Sequence, residues 1–371
     1  MEHTDFGANT TENALETVID DFLASGNKSG NYRESLERVL TQWRERLEDR
    51  GVETVEQISK RNMASYAQYL SRRVDAGKSR EVDGGISAAT AWTYYDYVSA
   101  FLSYCVRWEY LEENPAQKGI ATDELPPRPK KKSGDQQFWS AEDRKALVQY
   151  ADQRAHGAVD EKGFDALEEL RDRALVYVLA YSGVRGGEIL SDPRDDRRNG
   201  LRWKDVDLEN NQLIVLGKNQ QREEVQLPKQ SHNPLERLKK ALEPASLEWP
   251  VFVSSHAPSL YSNLPDDADP SAGEPLELQR QHGVVPPSLS TNGGRSVLKR
   301  LCDDAEIDVD GDYLKPHGAR CGVGEAIYDE RGASAAQRVL RHADPRTTSQ
   351  MYAHKEASEL AEEASEVFEN E

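Results

Sequence analysis

Residues 314–354 read LKPHGARCGVGEAIYDERGASAAQRVLRHADPRTTSQMYAH, and this stretch contains four side chains with acid–base, cationic or nucleophilic chemistry: His317, Arg320, His342 and Tyr352. Because His317 and Arg320 are three residues apart, they would share one face of a helix. A polar run, residues 346–349, joins His342 to Tyr352. Taken singly, each of the four could equally be a surface or packing residue. Their meaning therefore depends on what the rest of the chain supplies.

The segment YSGVRGGEIL, residues 181–190, places Arg185 two residues after Gly183, where one predicted helix ends and the next begins. A guanidinium at such a junction can donate two parallel hydrogen bonds to phosphate oxygens. The competing interpretation is a structural ion pair with Glu188. The residues alone leave both open.

Lys218 lies in the turn of a predicted β-hairpin whose strands are residues 212–216 and 223–227. A flexible ammonium there can reach into a groove and donate a proton, although most such lysines are merely solvated. Residues 255–290 are rich in Pro, Asp and Ser, which indicates an exposed loop or insertion. The remaining periodic segments are helical, so the predicted fold class is mainly α with a small β-hairpin.

Hydrophobic periodicity and turn signals divide the chain into two predicted domains. Residues 1–117 form a helical domain, residues 118–137 a basic, proline-rich linker, and residues 138–371 a second domain that opens with a capping box at Ser140. The linker holds four cations that favour contact with phosphates, unless it is only a solvated connector: Arg128, Lys130, Lys131 and Lys132.

One helix of the first domain starts at Ser87 and is rich in aromatic side chains. Its outward-facing candidates for contact with a nucleic-acid groove are Thr90, Thr93, Tyr94 and Tyr97. Packing of the aromatic side chains in the domain's own core is the alternative.

The net charge of −19, from 66 acidic and 47 basic residues, has the wrong sign for an ordinary nucleic-acid-binding protein. Either the chain does not bind nucleic acid or its acidity suits the solvent in which it works. Its basic residues are 30 Arg and only 17 Lys. This composition resembles that of proteins from salt-loving microbes, where charge repulsion is screened within about 3 Å at 1 M salt. We therefore expect a halophilic origin.

The apolar stretches are too short to span a bilayer, and the N-terminus lacks a basic segment followed by an apolar one. The three cysteines form no C-x-x-C pair, which favours a reducing compartment. We expect a cytoplasmic, nucleoid-associated protein without membrane contact.

The order of the motifs resembles the tyrosine recombinase, or phage integrase, family from Ser140 to His354: Arg-x-x-Glu, a hairpin Lys, His-x-x-Arg, Leu-x-His and a late Tyr-x-His. The first domain resembles that family's helical core-binding domain, in residues 87–90 and from 104 to 116. The resemblance implies a two-domain clamp around double-stranded DNA and a site-specific recombinase or integrase. It also implies six catalytic residues: Arg185, Lys218, His317, Arg320, His342 and Tyr352.

These residue types fit cleavage of a phosphodiester without a metal or another cofactor. Two arginines would stabilise the charge that develops on the non-bridging oxygens, and the resemblance gives His342 a hydrogen bond to the phosphate. The phenol of Tyr352 ordinarily has a pKa near 10, so a cationic pocket or His317 as a base must assist its attack. The resemblance assigns protonation of the leaving 5′ oxygen to Lys218. The product is a 3′-phosphotyrosyl link that a second 5′-hydroxyl can attack without ATP.

Two features depart from the family pattern. The Leu-x-His box usually has Gly in its middle, and here that residue is Arg341. The run from His342 to Tyr352 is one residue longer than is common, which in a continuous helix would turn Tyr352 away by about 100°. A loop within this run would absorb the extra residue, and Tyr313 and Tyr328 lie too early to replace Tyr352.

The tail after Tyr352 combines an apolar stripe at helical spacing with seven glutamates in residues 356–371. The resemblance implies that this tail docks on a neighbouring protomer within a homo-tetramer on DNA. Packing onto its own domain is the alternative.

Three other functions fit parts of the pattern. A catalytically impaired regulator of the same fold would bind DNA without cleaving it, and a relaxing topoisomerase would share the mechanism. A zinc enzyme could use His317 and Cys321, which are four residues apart. Because the resemblance gives His317 another role, we predict no metal site.

Overall fold

The computed structural model describes residues 13–78, 84–129, 136–217, 220–309 and 312–353. The chain divides into two compact units, residues 1–131 and residues 132–371. Each unit has its own hydrophobic core. Within the described ranges, no helix combines the length and the apolar character needed to cross a membrane.

The first unit is helical because successive segments carry an apolar stripe at helical spacing and bury it together. Its helices are α1 Leu15–Ala24, α2 Gly30–Glu48, α3 Lys60–Lys78, α4 Ala88–Arg107 and α5 Gly119–Thr122. α4 begins as predicted, since the Ser87 hydroxyl accepts a hydrogen bond from the Thr90 amide. Ala121 and Leu125 are buried in this core, so part of the predicted linker 118–137 packs within the first unit.

The second unit is also mainly helical. Its helices are α6 Ala141–Lys162, α7 Leu167–Ser182, α8 Gly186–Ile189, α9 His232–Leu242, α10 Ala257–Tyr261, α11 Pro275–Gln281, α12 Thr291–Asp304 and α13 Pro316–Leu340. α7 is buried around most of its circumference and packs against α6, α9 and α13, which makes it the centre of this unit. α13 is interrupted at Gly332, where φ is 74°, and residues 345–353 are again helical.

A small antiparallel sheet interrupts the helices in the order β1-β2-β3, with β1 Val206–Asp207, β2 Gln212–Leu216 and β3 Arg222–Gln226. The predicted hairpin is confirmed, and its last pair before the turn joins Leu216 to Arg222. The sequence does not reveal β1 because two residues carry no periodicity. Lys218, the predicted turn cation, lies outside the described residues.

The expectation of an exposed loop over residues 255–290 is wrong in part. This segment contains α10 and α11, and it buries Leu260 and Leu278. The side-chain amide of Gln279 donates to the Leu260 carbonyl at 2.7 Å and joins the two helices. Helices of five and seven residues are too short for a hydrophobic period to stand out against the Pro- and Ser-rich composition.

Candidate active site

Arg185 lies in the tight turn between α7 and α8. α7 ends at Gly183, whose φ of 68° is in the left-handed region that favours glycine. The Arg185 amide donates to Glu188 Oε2 at 2.8 Å, and its Nη1 donates to Glu188 Oε1 at 2.7 Å. The Arg185 side chain is nevertheless 32% exposed. The predicted ion pair between Arg185 and Glu188 therefore forms, and it orients a guanidinium that is still accessible to a ligand.

Arg320 lies one turn into α13 and is almost fully buried. Its Nη1 donates to the Gly183 carbonyl at 2.6 Å, and its Nη2 donates to the Leu340 carbonyl. Arg320 thus joins the end of α7 to the end of α13. These bonds use two of the five N–H groups of the guanidinium.

The two histidines lie near both arginines. His317, in the first turn of α13, has an exposed ring, yet nearby protein atoms and the charges of Arg320 and Arg185 lower its pKa. His342 lies in the loop after α13, and its Nδ1 is 2.9 Å from the hydroxyl of Thr348. Burial, followed by Arg320, Arg185 and His317, lowers the pKa of His342 to about 4. Both rings are therefore neutral at pH 7 and can donate or accept hydrogen bonds.

Arg185, His317, Arg320 and His342 form a cluster, and its positive charge exceeds the negative charge of the carboxylates that contact it. Burial and the charge of Arg185 lower the pKa of Arg320 to about 10, which shows that the two guanidiniums repel each other. Within the described ranges, Arg320 has no carboxylate within 4 Å, whereas Arg185 is paired with Glu188. A bound anion would relieve this repulsion, and guanidinium groups bind phosphate oxygens through paired hydrogen bonds.

The low pKa of His342 makes stability depend on pH. Its folded-state pKa of about 4 lies below the ordinary 6.5, so the unfolded chain takes up a proton first as pH falls. The stability from this ring is thus complete above pH 6.5 and is lost as pH falls towards 4. We expect His342→Gln to reduce the loss of unfolding free energy between these pH values. Urea unfolding at constant KCl, with His282→Gln as control, measures this; equal slopes for wild type and His342→Gln would contradict it.

Arg341, which replaces the usual glycine of the Leu-x-His box, has φ 53° and ψ 44°. This left-handed backbone explains the usual glycine and costs a residue with a Cβ about 1–2 kcal/mol. The Arg341 guanidinium donates to Glu188 Oε2 at 2.7 Å and to the carboxylate of Glu223. Arg341 is therefore part of the cluster as well as a strained residue.

Tyr352 lies beside the cluster but makes no hydrogen bond to its four predicted partners. Its hydroxyl donates to the Cys321 carbonyl at 3.4 Å, and its side chain is fully buried. The ring packs against Tyr328 and Phe138, with centroids 4.9 and 6.4 Å away. Burial raises the pKa of the phenol. The structure thus brings together Arg185, His317, Arg320 and His342 and leaves Tyr352 in an adjacent apolar niche.

A loop separates α13 from the helix that carries Tyr352. Residues 341–344 are not helical, and the next helix starts at residue 345. The run from His342 to Tyr352 is therefore not one continuous helix. It contains the loop that we expected to absorb the extra residue.

The candidate DNA-contacting residues of the first unit are partly occupied by local contacts. Thr93 is exposed and donates to the Ala89 carbonyl at 3.0 Å. Thr90, Tyr94 and Tyr97 are half-buried, and the two tyrosines pack against the core as the alternative predicted. Arg128 pairs with Asp96 at 3.0 Å and covers the ring of Trp92. Lys130, Lys131 and Lys132 lie outside the described residues.

Three polar residues near the cluster were not identified from the sequence: Arg198, Glu223 and Thr348. Each is brought to the cluster by a contact that no periodic pattern signals, although Thr348 belongs to the polar run 346–349. Among the residues that the structure describes, no group of three or more His, Cys, Asp or Glu side chains could hold a metal ion.

Comparison with known proteins identifies the family of this chain. Residues 158–359 match the phage integrase family. The tyrosine recombinase XerC of Xanthomonas axonopodis pv. citri (strain 306) is 27% identical over 198 residues, which are 53% of this chain. The alignment spans about half (51%) of that relative's length.

Two solved structures share the fold at low sequence identity. The Tn1549 transposon integrase in complex with transposon right end DNA has a TM-score of 0.58 and 14% identity, covering 94% of this chain and 99% of that one. The lambda integrase dimer bound to a COC′ core site has a TM-score of 0.51 and 14% identity, covering 91% and 77%. Because the family match extends over more than half of the residues, this chain belongs to the phage integrase family.

Proposed function

We propose that this protein is a site-specific recombinase that cleaves and rejoins double-stranded DNA through a 3′-phosphotyrosyl intermediate. The observation that carries the proposal is that Arg320, on α13, donates to the Gly183 carbonyl two residues before Arg185, in the turn between α7 and α8. The cluster that these residues form has excess positive charge. Family membership and the name of the XerC relative support it.

In the proposed reaction, Arg185 and Arg320 bind the non-bridging oxygens and stabilise the charge of the transition state. Neutral His342 donates a hydrogen bond to the phosphate, and His317 accepts the phenol proton. Lys218 protonates the leaving 5′ oxygen. This set needs neither a metal nor another cofactor.

Tyr352 must reach the phosphorus atom to attack it. Its side chain is fully buried, whereas reacting atoms must approach to about 3–3.5 Å. The proposed reaction therefore includes a movement of residues 345–353 that releases Tyr352 from its niche.

The proposed DNA contacts extend beyond the cleavage site. In this proposal the predicted helical domain, residues 1–117, and the predicted catalytic domain, residues 138–371, clamp the duplex. The first unit and the linker contribute Thr90, Thr93, Tyr94, Tyr97, Arg128, Lys130, Lys131 and Lys132. Because high salt removes much of the contribution of counterion release to binding, site recognition in this proposal depends more on base contacts, DNA shape and protomer contacts than on bulk charge.

The proposed assembly is a homo-tetramer on DNA in which residues 356–371 of each protomer dock on a neighbour. That tail lies outside the described residues, and the proposal rests on its apolar stripe. We further propose that the protein is cytoplasmic and nucleoid-associated, and that it comes from a salt-loving microbe.

The test is capture of the covalent intermediate. Purified protein is incubated in molar KCl with a library of host and mobile-element DNA, quenched with detergent, and digested. We expect protein–DNA adducts at one recurrent sequence, with the attached nucleotide on the peptide that contains Tyr352. Sequence-selective binding without adducts would instead support a regulator. Adducts with relaxation of supercoils but no strand exchange would support a topoisomerase.

A further inference from the structure

His342 is held at two points, through its backbone by α13 and through its ring by the helix that follows. Its amide donates to the Gln337 carbonyl at 3.1 Å, and its own carbonyl accepts from Gln337 Nε2 at 3.2 Å. Its ring Nδ1 lies 2.9 Å from the Thr348 hydroxyl. The ring Nε2 makes no hydrogen bond to any residue that the structure describes, and His342 is only half-buried. A ligand can therefore bind at Nε2.

Thr348 lies against His342 because the helix over residues 345–353 starts at a fixed point. Asp344 caps this helix, since its carboxylate accepts a hydrogen bond from the Arg346 amide at 2.9 Å. Thr348 follows the cap by four residues and is only 2% exposed. The cap therefore determines where the buried hydroxyl meets the ring.

The burial of Thr348 decides the direction of its hydrogen bond. A hydroxyl has one proton to donate, and among the described residues the His342 ring is the one partner of this hydroxyl. If Nδ1–H donated to it, the proton of the hydroxyl would be buried without an acceptor, which is costly. If the hydroxyl donates to Nδ1, both groups are satisfied. Because the ring is neutral at pH 7, its own proton is then on Nε2.

We propose that Thr348 is a positioning residue whose hydroxyl donates to His342 Nδ1, keeps the ring proton on Nε2, and so makes Nε2–H the donor to the scissile phosphate. The inference rests on the proposed recombinase function. In the other tautomer, Nε2 would present a lone pair to the phosphate oxygens and repel them. Thr348 thus acts through His342 and does not itself contact the DNA.

This role is compatible with the release of Tyr352. Thr348 lies four residues after Asp344, and Tyr352 lies eight residues after it, on the same face of the helix. Since a helix rises about 1.5 Å per residue, a movement that pivots at Asp344 displaces Tyr352 about twice as far as Thr348. The hydrogen bond to His342 can therefore persist while the phenol leaves its niche.

The first measurement locates the ring proton of His342 in the DNA-free protein. Protein labelled with ¹⁵N-histidine is studied by NMR at pH 7 in molar KCl, and the His342 signals are assigned by their loss in His342→Ala. We expect a protonated Nε2 and a bare Nδ1 in wild type and in Thr348→Ser, which keeps the hydroxyl. In Thr348→Val, which keeps the branched shape without the hydroxyl, the two nitrogen resonances should move towards each other as the tautomers exchange. Thr347→Val, at the exposed neighbouring residue, should resemble wild type.

The second measurement is a double-mutant cycle on single-turnover adduct formation, with DNA that contains the site recovered by adduct sequencing. Thr348→Val should be slower by about 10-fold, as for loss of one hydrogen bond, and Thr348→Ser and Thr347→Val should stay within about threefold of wild type. His342→Ala removes the donor itself and should cost about 10²–10³-fold. Adding Thr348→Val to His342→Ala should then cost less than about twofold, because no histidine is left to position.

Three results would overturn the inference. A protonated Nδ1 in wild type would reverse the direction of the hydrogen bond. Ring resonances that do not change in Thr348→Val would show that the hydroxyl does not set the tautomer. A rate loss from Thr348→Val that persists in full in the His342→Ala background would indicate a role in the fold alone.

The two proposals fail in different ways. In each of the three cases above, wild-type adducts would leave the proposed function standing. Absence of wild-type adducts would reject the proposed function, and with it the role of Nε2–H at the phosphate. The NMR measurement needs no DNA, so it would still decide whether Thr348 sets the tautomer of His342.

Discussion

Replacement of Tyr352 by phenylalanine is expected to abolish the covalent protein–DNA adduct while leaving the fold and DNA binding intact. Without the hydroxyl no phosphotyrosyl bond can form, and loss of a nucleophile costs at least about 10³-fold in rate. The cost in stability should be small. The hydroxyl makes one long bond, 3.4 Å to the Cys321 carbonyl, and such a bond is worth about 1 kcal/mol or less. The phenylalanine ring would keep the contacts with Tyr328 and Phe138.

Adduct yield after detergent quenching measures this effect, and binding is followed in parallel by mobility shift in the same KCl concentration. Tyr313→Phe is the matched control and should form adducts at the wild-type rate. If adducts survive in Tyr352→Phe, the nucleophile is another residue. Tyr328 would be tested next, because its ring packs against that of Tyr352, with the centroids 4.9 Å apart.

Replacement of Arg320 by alanine is expected to reduce both cleavage and stability. In catalysis it removes a fixed cation from the phosphate site, which costs about 10²–10³-fold. In the fold it leaves the buried carbonyls of Gly183 and Leu340 without their donor, at about 1–3 kcal/mol each. Arg320→Lys keeps the positive charge but loses the planar guanidinium that donates to two oxygens at once. The losses of cleavage rate and of stability should therefore both be intermediate.

Urea unfolding and single-turnover cleavage, at a temperature where every variant is folded, separate the two effects. Arg295→Ala removes an exposed arginine of the same unit and should change the free energy of unfolding by no more than about 0.5 kcal/mol. Wild-type cleavage by Arg320→Ala would remove Arg320 from the proposed phosphate site.

Much of the fold could be predicted from the sequence, because the signals for helices and for the hairpin are local. Apolar spacing indicated the helices of the first domain, Ser87 marked the start of α4, the capping box at Ser140 marked the start of α6, and residues 212–216 and 223–227 marked the hairpin. The short helices within residues 255–290 could not be read, since they owe their existence to burying Leu260 and Leu278 against the rest of the unit.

The candidate site, too, could be predicted only in part: its residues could be predicted from the sequence, and its geometry could not. The resemblance of the motif order to the phage integrase family selected Arg185, His317, Arg320 and His342, and their residue types suit the binding of a phosphate. The geometry that makes them a site was not readable. Arg320 meets Gly183 across 137 residues, and Arg341 meets Glu188 across 153. No local pattern encodes such pairings.

By itself, therefore, the sequence indicated most of the longer helices, the hairpin and, through the order of its motifs, the set of candidate chemical groups, since propensity, spacing and motif order belong to the chain before it folds. The tertiary structure alone decided that Arg320 is buried against two helix ends, that Tyr352 lies in an apolar niche, and that Arg341 pairs with Glu188. Each of these depends on which distant segments pack together, and packing is settled only when the whole unit buries its core.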